Sequence, residues 1–319
     1  MRSSDSRSEP SPEDDADATV DTTASAITVV TVAHNSASVL PSMLASVPEG
    51  VPVIVVDNGS RDSDSIASIA EQHGARLIRN EENVGFGRAC NQGAALAKTP
   101  LILFLNPDAE LVGDALDRLA EASRLYPDAG AFNPAIGHPN GAQFFRRSSP
   151  ISRSRPKPPR GWPSSDRKVP VLSGSALLVS KRNFDAVGGF DPEIFLYCED
   201  DDLCLRLEAS CGPLMFIRNA RVIHHLGGLE TLRLKGRSFG HSLVYASLKH
   251  KKPMAFERAL IRAAGMAFSL SSITSKTHRI WAFSHLQGVL SARRFNPPTG
   301  TRLRKWILRS RAREGPTTG

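Results

Sequence analysis

The chain changes texture once, near its start. Residues 1–25 are mostly Ser, Asp, Glu, Pro and Thr with almost no apolar side chains, and they read as a disordered acidic tail. From Ile27 onward, short β-branched runs alternate with segments of helical spacing. Residues 27–33, 51–56, 75–79 and 100–105 predict strands; residues 39–47, 66–73 and 88–97 predict helices, the second closed by Gly74. A helix over 116–125 and strands over 129–134, 171–180 and 220–223 follow. The alternation implies a parallel α/β sheet, and apolar runs without a two-residue period fit strands covered on both faces. Ligands in such sheets bind beyond the carboxyl ends of the strands. Three of those ends carry small polar or acidic groups: His34-Asn35, Asp57-Asn58-Gly59-Ser60 and Asn106-Pro107-Asp108. Neither GxGxxG nor GxxxxGK[ST] is present, which argues against a dinucleotide fold or a P-loop.

Composition adds a charge asymmetry. The 319 residues are 40% hydrophobic, enough for one large core plus appendages, and carry a net charge of +8. Residues 1–25 hold seven acids and two bases, whereas residues 233–319 hold eighteen Lys or Arg and two Glu. A basic C-terminal third suits a polyanion or an anionic membrane. Residues 254–262 and 280–294 mix apolar and basic side chains, and Trp306 and Ile307 lie among arginines, the composition of interfacial amphipathic helices; the alternative is ordinary helices packed on the sheet domain. Residues 143–170 form a basic insertion, eight Lys or Arg against Asp166, which its prolines should keep from regular structure. The four cysteines make no CxxC pair and read as reduced, structural thiols of a cytoplasmic protein. No run reaches the roughly 18 apolar residues of a spanning helix.

One stretch concentrates chemistry. Between Gly188 and Arg206 stand four consecutive carboxylates, Glu199, Asp200, Asp201 and Asp202, behind Phe190, Ile194, Phe195, Leu196 and Tyr197. Like charges beside a buried run are costly unless a cation compensates them. A carboxylate so placed is a candidate general base. Ser173 and Gly174 permit close approach of a ligand or backbone.

Taken together, the segments TVAHN, VVDNGSRD, NVGFGRACNQG, LFLNPD, LSGSALLV, VGGFDPEIFLYCEDDDLCLR and VIHHLGG resemble, in order and spacing, the inverting family-two glycosyltransferases, nearest the rhamnosyltransferase-like branch that builds bacterial surface polysaccharides. The resemblance covers about residues 27–245. It implies a GT-A fold: α/β, a mostly parallel central sheet flanked by helices. The expected organisation is a tail over 1–25, the transferase domain over 26–245, a helical extension over 246–296 and a basic tail over 297–319. It also implies a nucleotide-sugar donor and a Mg²⁺ or Mn²⁺ ion. Asp57 would meet the donor's base or ribose, with Thr31, His34 and Asn35 beside it. Gly85, Arg88 and Asn91 fall where the family holds nucleotide or sugar. Asp108 matches the second acid of the family's DxD element, whose first acid is here Asn106, with the loss of one charged ligand. Asp200 matches the catalytic Asp, and Glu199, Ser173 and Gly174 would face the acceptor. His225 would complete the metal site, while His224 reads as structural.

The chemistry accounts for these residue types. A divalent cation neutralises the leaving diphosphate, and one carboxylate deprotonates the attacking hydroxyl. The implied acceptor is a glycan or a polyprenyl-diphosphate-linked glycan, with the protein peripheral on the inner face of the bacterial inner membrane. A nucleic-acid-binding protein would explain the basic third but not the acidic strand ends, and no nucleic-acid-binding signature is present. A nucleotidyltransferase also uses strand-end carboxylates and a metal, but the first strand lacks the expected Gly-rich basic loop.

Overall fold

The computed structural model describes residues 26–152, 158–225 and 232–292. Among these, ten strands form one sheet. They are β1 Ile27–Ala33, β2 Val53–Asn58, β3 Arg76–Asn80, β4 Leu101–Leu105, β5 Ala109–Val112, β6 Ala131–Gly137, β7 Gln143–Phe144, β8 Arg167–Lys168, β9 Ala176–Ser180 and β10 Leu214–His224. The order is β3-β2-β1-β4-β9-β6-β10-β5, with β7 added to β6 and β8 to β10. Pairing is parallel across β3, β2, β1 and β4, and between β6 and β10; β9 and β5 run antiparallel to their neighbours.

The sheet is buried on both faces. Val29, Val55, Leu103 and Leu105 pack beneath α1 Leu40–Ala45, α2 Ser63–Gln72 and α4 Ala115–Leu125. Their neighbours Val30, Val56, Ile102 and Phe104 point the other way, toward α3 Phe86–Leu96, Phe184 of α5 Lys181–Ala186 and α6 Glu199–Ser210. Alternation is therefore present in the strands but invisible as polarity, because both faces need apolar side chains.

β5 and α5 escape the sequence pattern because they are short, four and six residues long. The strand expected over 171–180 begins at Ala176. Residues ahead of it leave the ladder: the Asn133 side chain accepts from the Ser173 N–H, and Ser175 O accepts from the Asn106 N–H at 2.9 Å. The described parts of the insertion, residues 143–152 and 158–170, carry more regular structure than its prolines suggest. β7 and β8 frame it, Ile151 is buried, and Trp162 Nε1 donates to Ile136 O at 2.9 Å.

Beyond the sheet lie α7 Leu232–Lys249, α8 Ala255–Ala267, α9 Leu270–Thr274 and α10 Lys276–Ser291. A domain limit after residue 245 falls inside α7, which continues four residues further; the apolar core of this layer includes Ile151, Ile194 and Cys198 from the sheet domain, so the helix belongs to both parts. The basic tail over 297–319 and the end of the expected extension lie outside the described residues. α7 and α10 approach at backbone distance. A Cβ at Gly236 would lie 2.9 Å from Trp281 O, and one at Gly240 or Gly288 would collide with the carbonyl of His285 or Arg237. Gly265, on α8, has open space around it.

Gly240→Ala and Gly288→Ala should each lower stability by about 1–3 kcal/mol through overpacking. Gly265→Ala should raise it by ~0.5–1 kcal/mol, through helix propensity alone. Denaturant melts of the three variants check this; an unchanged midpoint in Gly240→Ala would mean that the two helices do not touch there.

Candidate active site

The carboxyl ends of β1, β2 and β4 open into a cavity of about 480 Å³. Its polar lining includes His34, Asn35, Asn58, Asn106, Asp108 and His225, so three separate strand ends converge as the alternation of strands and helices requires. His34 Nδ1 is 3.0 Å from Asn58 O. Asn35 is held in the left-handed region, φ 53°, by bonds on both sides: its N–H donates to Ser60 Oγ and its Oδ1 accepts from the Arg61 N–H.

Two residues expected beside the donor do not line this cavity. Asp57 is buried, and its carboxylate accepts from the Ser60 N–H and from the Ser63 hydroxyl. It is satisfied by its own loop and the start of α2, and its neighbour Asn58, itself buried, lines the cavity instead. Thr31 is fully buried in the middle of β1.

Gly85, Arg88 and Asn91 do not line this cavity either; each packs against the segment ahead of α6. Gly85, at φ 95°, lies so close to Phe195 that a Cβ would be 2.8 Å from its carbonyl oxygen. Arg88 Nε donates to Pro192 O at 2.6 Å. Asn91 bridges Phe190, donating to its carbonyl and accepting from its N–H, both at 2.9 Å. All three fix the segment that leads into α6, with Phe195 and Leu196 then forming part of the cavity wall.

At the β4–β5 corner, Asp108 is largely buried, and His224 Nε2 lies 3.1 Å from its Oδ1. His224 therefore holds the carboxylate directly, a contact that a purely structural reading misses. His225 donates its backbone N–H to Asp108 O at 2.8 Å, while its ring turns to Glu110, Nε2 lying 3.1 Å from Oε1 without hydrogen-bond geometry. Neighbours on a strand end point to opposite faces, which separates the two imidazoles. No three His, Cys, Asp or Glu side chains among the described residues converge as a ligand set. The arrangement still fits a Mg²⁺ or Mn²⁺ ion: one carboxylate faces the cavity, and His225 Nε2 is a buried polar atom without a hydrogen bond. Such an ion takes its remaining oxygens from substrate phosphate and water.

The acidic row opens α6, where the helix dipole favours negative charge. Tyr197 and Cys198, with φ 67° and 66°, turn the chain into it through two strained left-handed residues. Each carboxylate then has a different fate. Asp200 Oδ2 accepts from Arg146 Nη1 at 2.6 Å and from the Gly174 N–H at 3.0 Å; Oδ1 accepts from the Asp201 N–H. Asp201 takes both oxygens to Arg146 Nη2, at 2.7 and 2.8 Å. Asp202, fully buried, meets Arg206, Lys249 and His250 within 2.9 Å. Burial alone would raise its pKa, but the Arg206 charge, with His250 and Lys249, holds it well below the usual carboxylate range. Glu199 has no ion pair among the described residues: burial, then the Asp200 charge, pushes it up to about 8 against the weaker pull of Arg146, and Oε2 has no hydrogen bond. It is therefore a neutral acid at pH 7.

Arg146 is the residue that sequence reasoning missed. It lies in the basic insertion, 54 positions before Asp200, and nothing local marks it among seven other bases there. The signal was indirect: four adjacent acids in apolar sequence demand a cation from elsewhere. Lys249, with Asp191 and Tyr245 beside it, was likewise unread. Ser173 is buried, and a Cβ on Gly174 would lie 3.3 Å from the Asp200 Cβ, so close backbone approach is the reason for that glycine. Burial pushes the thiols of Cys90, Cys198 and Cys204 up, as inert structural cysteines require.

A sheet of this order, with polar strand ends and an acid-led helix beside them, defines a GT-A transferase. Residues 28–188 match the family described as Glycosyl transferase family 2, and the chain belongs to it. It is 32% identical over 235 residues to the N-acetylglucosaminyl-diphospho-decaprenol L-rhamnosyltransferase of Mycobacterium tuberculosis, covering 62% of this chain and 75% of that one. It is 28% identical over 225 residues to the Escherichia coli rhamnosyltransferase WbbL, covering 62% and 82%. In fold it is similar to TarS of S. aureus (TM-score 0.51, 14% identity, covering 86% of this chain and 94% of that one). It is also similar to GalNAc-T7 solved with UDP, GalNAc and Mn2+ (TM-score 0.51, 16% identity, 85% of this chain and 58% of that one). The protein is thus a glycosyltransferase.

The acidic row predicts opposite pH responses. Glu199, raised on folding, binds its proton in the native state over a range where the unfolded chain has lost it. Stability should fall as pH rises from about 4.5 to about 8, then level off. Asp202, depressed, contributes stability that is lost only below the usual carboxylate range. Glu199→Gln should remove most of the loss between pH 5 and pH 8, leaving that variant at least about 2 °C more stable than wild type at pH 8. Parallel thermal slopes for the two proteins would contradict a buried neutral Glu199.

Proposed function

We propose that the chain transfers a sugar, rhamnose first among candidates, from a nucleoside-diphosphate donor to a hydroxyl of a polyprenyl-diphosphate-linked glycan, with inversion at the anomeric carbon. The observation that carries this is the pairing of Asp200 with Arg146 and the Gly174 N–H: a carboxylate with its oxygens fixed in direction, at the start of a helix. As the acceptor oxygen bonds to the anomeric carbon, its proton passes to Asp200, the bond to the diphosphate breaks, and the nucleoside diphosphate leaves. Arg146 suits this exchange, because its second arm keeps the bidentate contact to Asp201 when Asp200 becomes neutral. Donor nucleotide and sugar would occupy the strand-end cavity, His34, Asn35 and Asn58 supplying polar contacts. Asp108, steadied by His224, would carry the metal-diphosphate end, with Asn106 and His225 beside it. A divalent ion, when bound, neutralises charge that develops on the leaving diphosphate.

Asp200→Asn should retain donor binding and lose about 10²–10⁴-fold in turnover; near-normal turnover would remove Asp200 from the mechanism. Asp108→Ala should weaken donor and metal binding together, read by calorimetry. A screen of dTDP-, UDP- and GDP-sugars for nucleoside diphosphate release identifies the donor, and pyrophosphate release from a triphosphate would instead indicate a nucleotidyltransferase.

Peripheral membrane attachment belongs to the same reading. No helix of the described residues is long and apolar enough to cross a membrane. α8 exposes Ile261, and its two capping residues, Met254 and Phe268, are exposed at the same helical spacing; Arg258 and Arg262 flank Ile261, and Phe268 meets the exposed Phe283 of α10. Apolar side chains flanked by arginines suit an anionic interface. Sedimentation with anionic vesicles should fall as salt rises; equal binding to neutral vesicles, or none to either, would refute the attachment.

A further inference from the structure

A second and larger cavity, about 990 Å³, lies between the 146–152 segment and the turn that joins α7 to α8. Its lining is unusual in charge. Arg147, His250, Lys251, Lys252, Arg258 and Arg262 face it together with Arg146. The carboxylate in the lining is Asp201, and Arg146 already binds both its oxygens. Lys252 Nζ donates to Pro150 O at 2.8 Å; burial, then the charges of Arg258 and Arg262, push its pKa down against the opposing charge of Asp201, the sign of crowded cations. The turn that presents the two lysines is strained: Lys251 and Met254 stand at φ 52° and 51°, and neither is glycine. The chain thus holds an unfavourable backbone where positive charge gathers, and Arg147, Lys251, Arg258 and Arg262 have no ion pair among the described residues.

We propose that this cavity binds the diphosphate of the lipid-linked acceptor. The proposal rests on the transferase reading above and adds the location and chemistry of the acceptor site. Arginines and lysines on facing walls match the spread charge of a diphosphate, and arginine engages its oxygens in pairs. Arg258 and Arg262 stand on the same helix as the exposed Ile261, with the exposed Met254 and Phe268 at its two ends, so hydrocarbon next to the phosphates would meet apolar side chains. At the inner end, Arg146 lines the cavity and holds Asp200, which puts the acceptor's anionic group and the base on one guanidinium.

The test is calorimetric titration of the full chain, with UDP saturating, using farnesyl diphosphate, farnesyl monophosphate and inorganic pyrophosphate. Both diphosphates should bind wild type, and the monophosphate at least tenfold more weakly. The Arg258→Ala/Arg262→Ala double variant should lose at least tenfold for both diphosphates while binding UDP as wild type does, which also reports that it is folded. Arg147→Ala, on the opposite wall, should lose affinity in the same direction. Diphosphate affinities within twofold of wild type in the double variant and in Arg147→Ala would overturn the proposal. So would a loss confined to farnesyl diphosphate, which would leave an apolar contact but no phosphate site. Either failure leaves nucleoside diphosphate release from a sugar donor intact; absence of that release would instead sink the transferase reading.

Discussion

Four adjacent carboxylates at the head of one helix cannot all be solvated, and in this chain three of them are buried. Everything around α6 follows from that. Removing an ion from water costs several kcal/mol unless partners replace the solvent, so each acid recruits a different answer. Asp200 and Asp201 draw Arg146 out of a distant loop. Asp202 draws Arg206 from the next turn and Lys249 and His250 from the end of α7. Glu199, without an ion pair among the described residues, keeps its proton. The insertion and the helical extension are thereby tied to the sheet by charge as much as by apolar contact. Cutting one of these ties would strand a buried charge rather than merely forgo a contact.

This distribution also separates tasks that the sequence places side by side. Asp200 and Asp202 are two residues apart, yet one is partly open beside Gly174 and the other is sealed among three bases. The same run of letters thus holds a candidate base, its positioning partner, a structural anchor and a neutral acid. The strand-end cavity shows the complementary economy. Its polar groups come from strands far apart in sequence, and its wall is set by Gly85, Arg88 and Asn91, which hold the 190–195 segment in place.

The sheet was legible because β-branched runs ending in Asn, Asp or His have few other readings. So was the cavity, since parallel strands bring their carboxyl ends together without any knowledge of contacts. The roles of Asp57, Arg88 and Asn91 were not, because satisfaction of a polar side chain by its own neighbours depends on backbone geometry that motifs do not encode. His224 and His225 show this at its smallest scale: adjacent letters, opposite faces, and only one ring on Asp108. Arg146 was hidden for the reverse reason. Ion pairs across 54 residues leave no period, and a proline-rich insertion looks like a tether until its arginine is seen seated. The helical layer carried a readable pattern, but its seam with the sheet domain did not coincide with any change of composition, since α7 serves both.

α7 has Lys235 at the strand-end cavity and Lys249 in the Asp191–Asp202 network. Fourteen residues of uninterrupted helix set that separation at roughly 21 Å, and each residue added or removed would swing one end by about 100° relative to the other. Loops that carry no residue of either place can lengthen or shorten over evolutionary time with little effect on this separation. α7 has no such freedom: it works as a gauge bar, and its length is inherited as a unit. A single-residue gap within it in any close relative that keeps both lysines in these places would contradict that constraint.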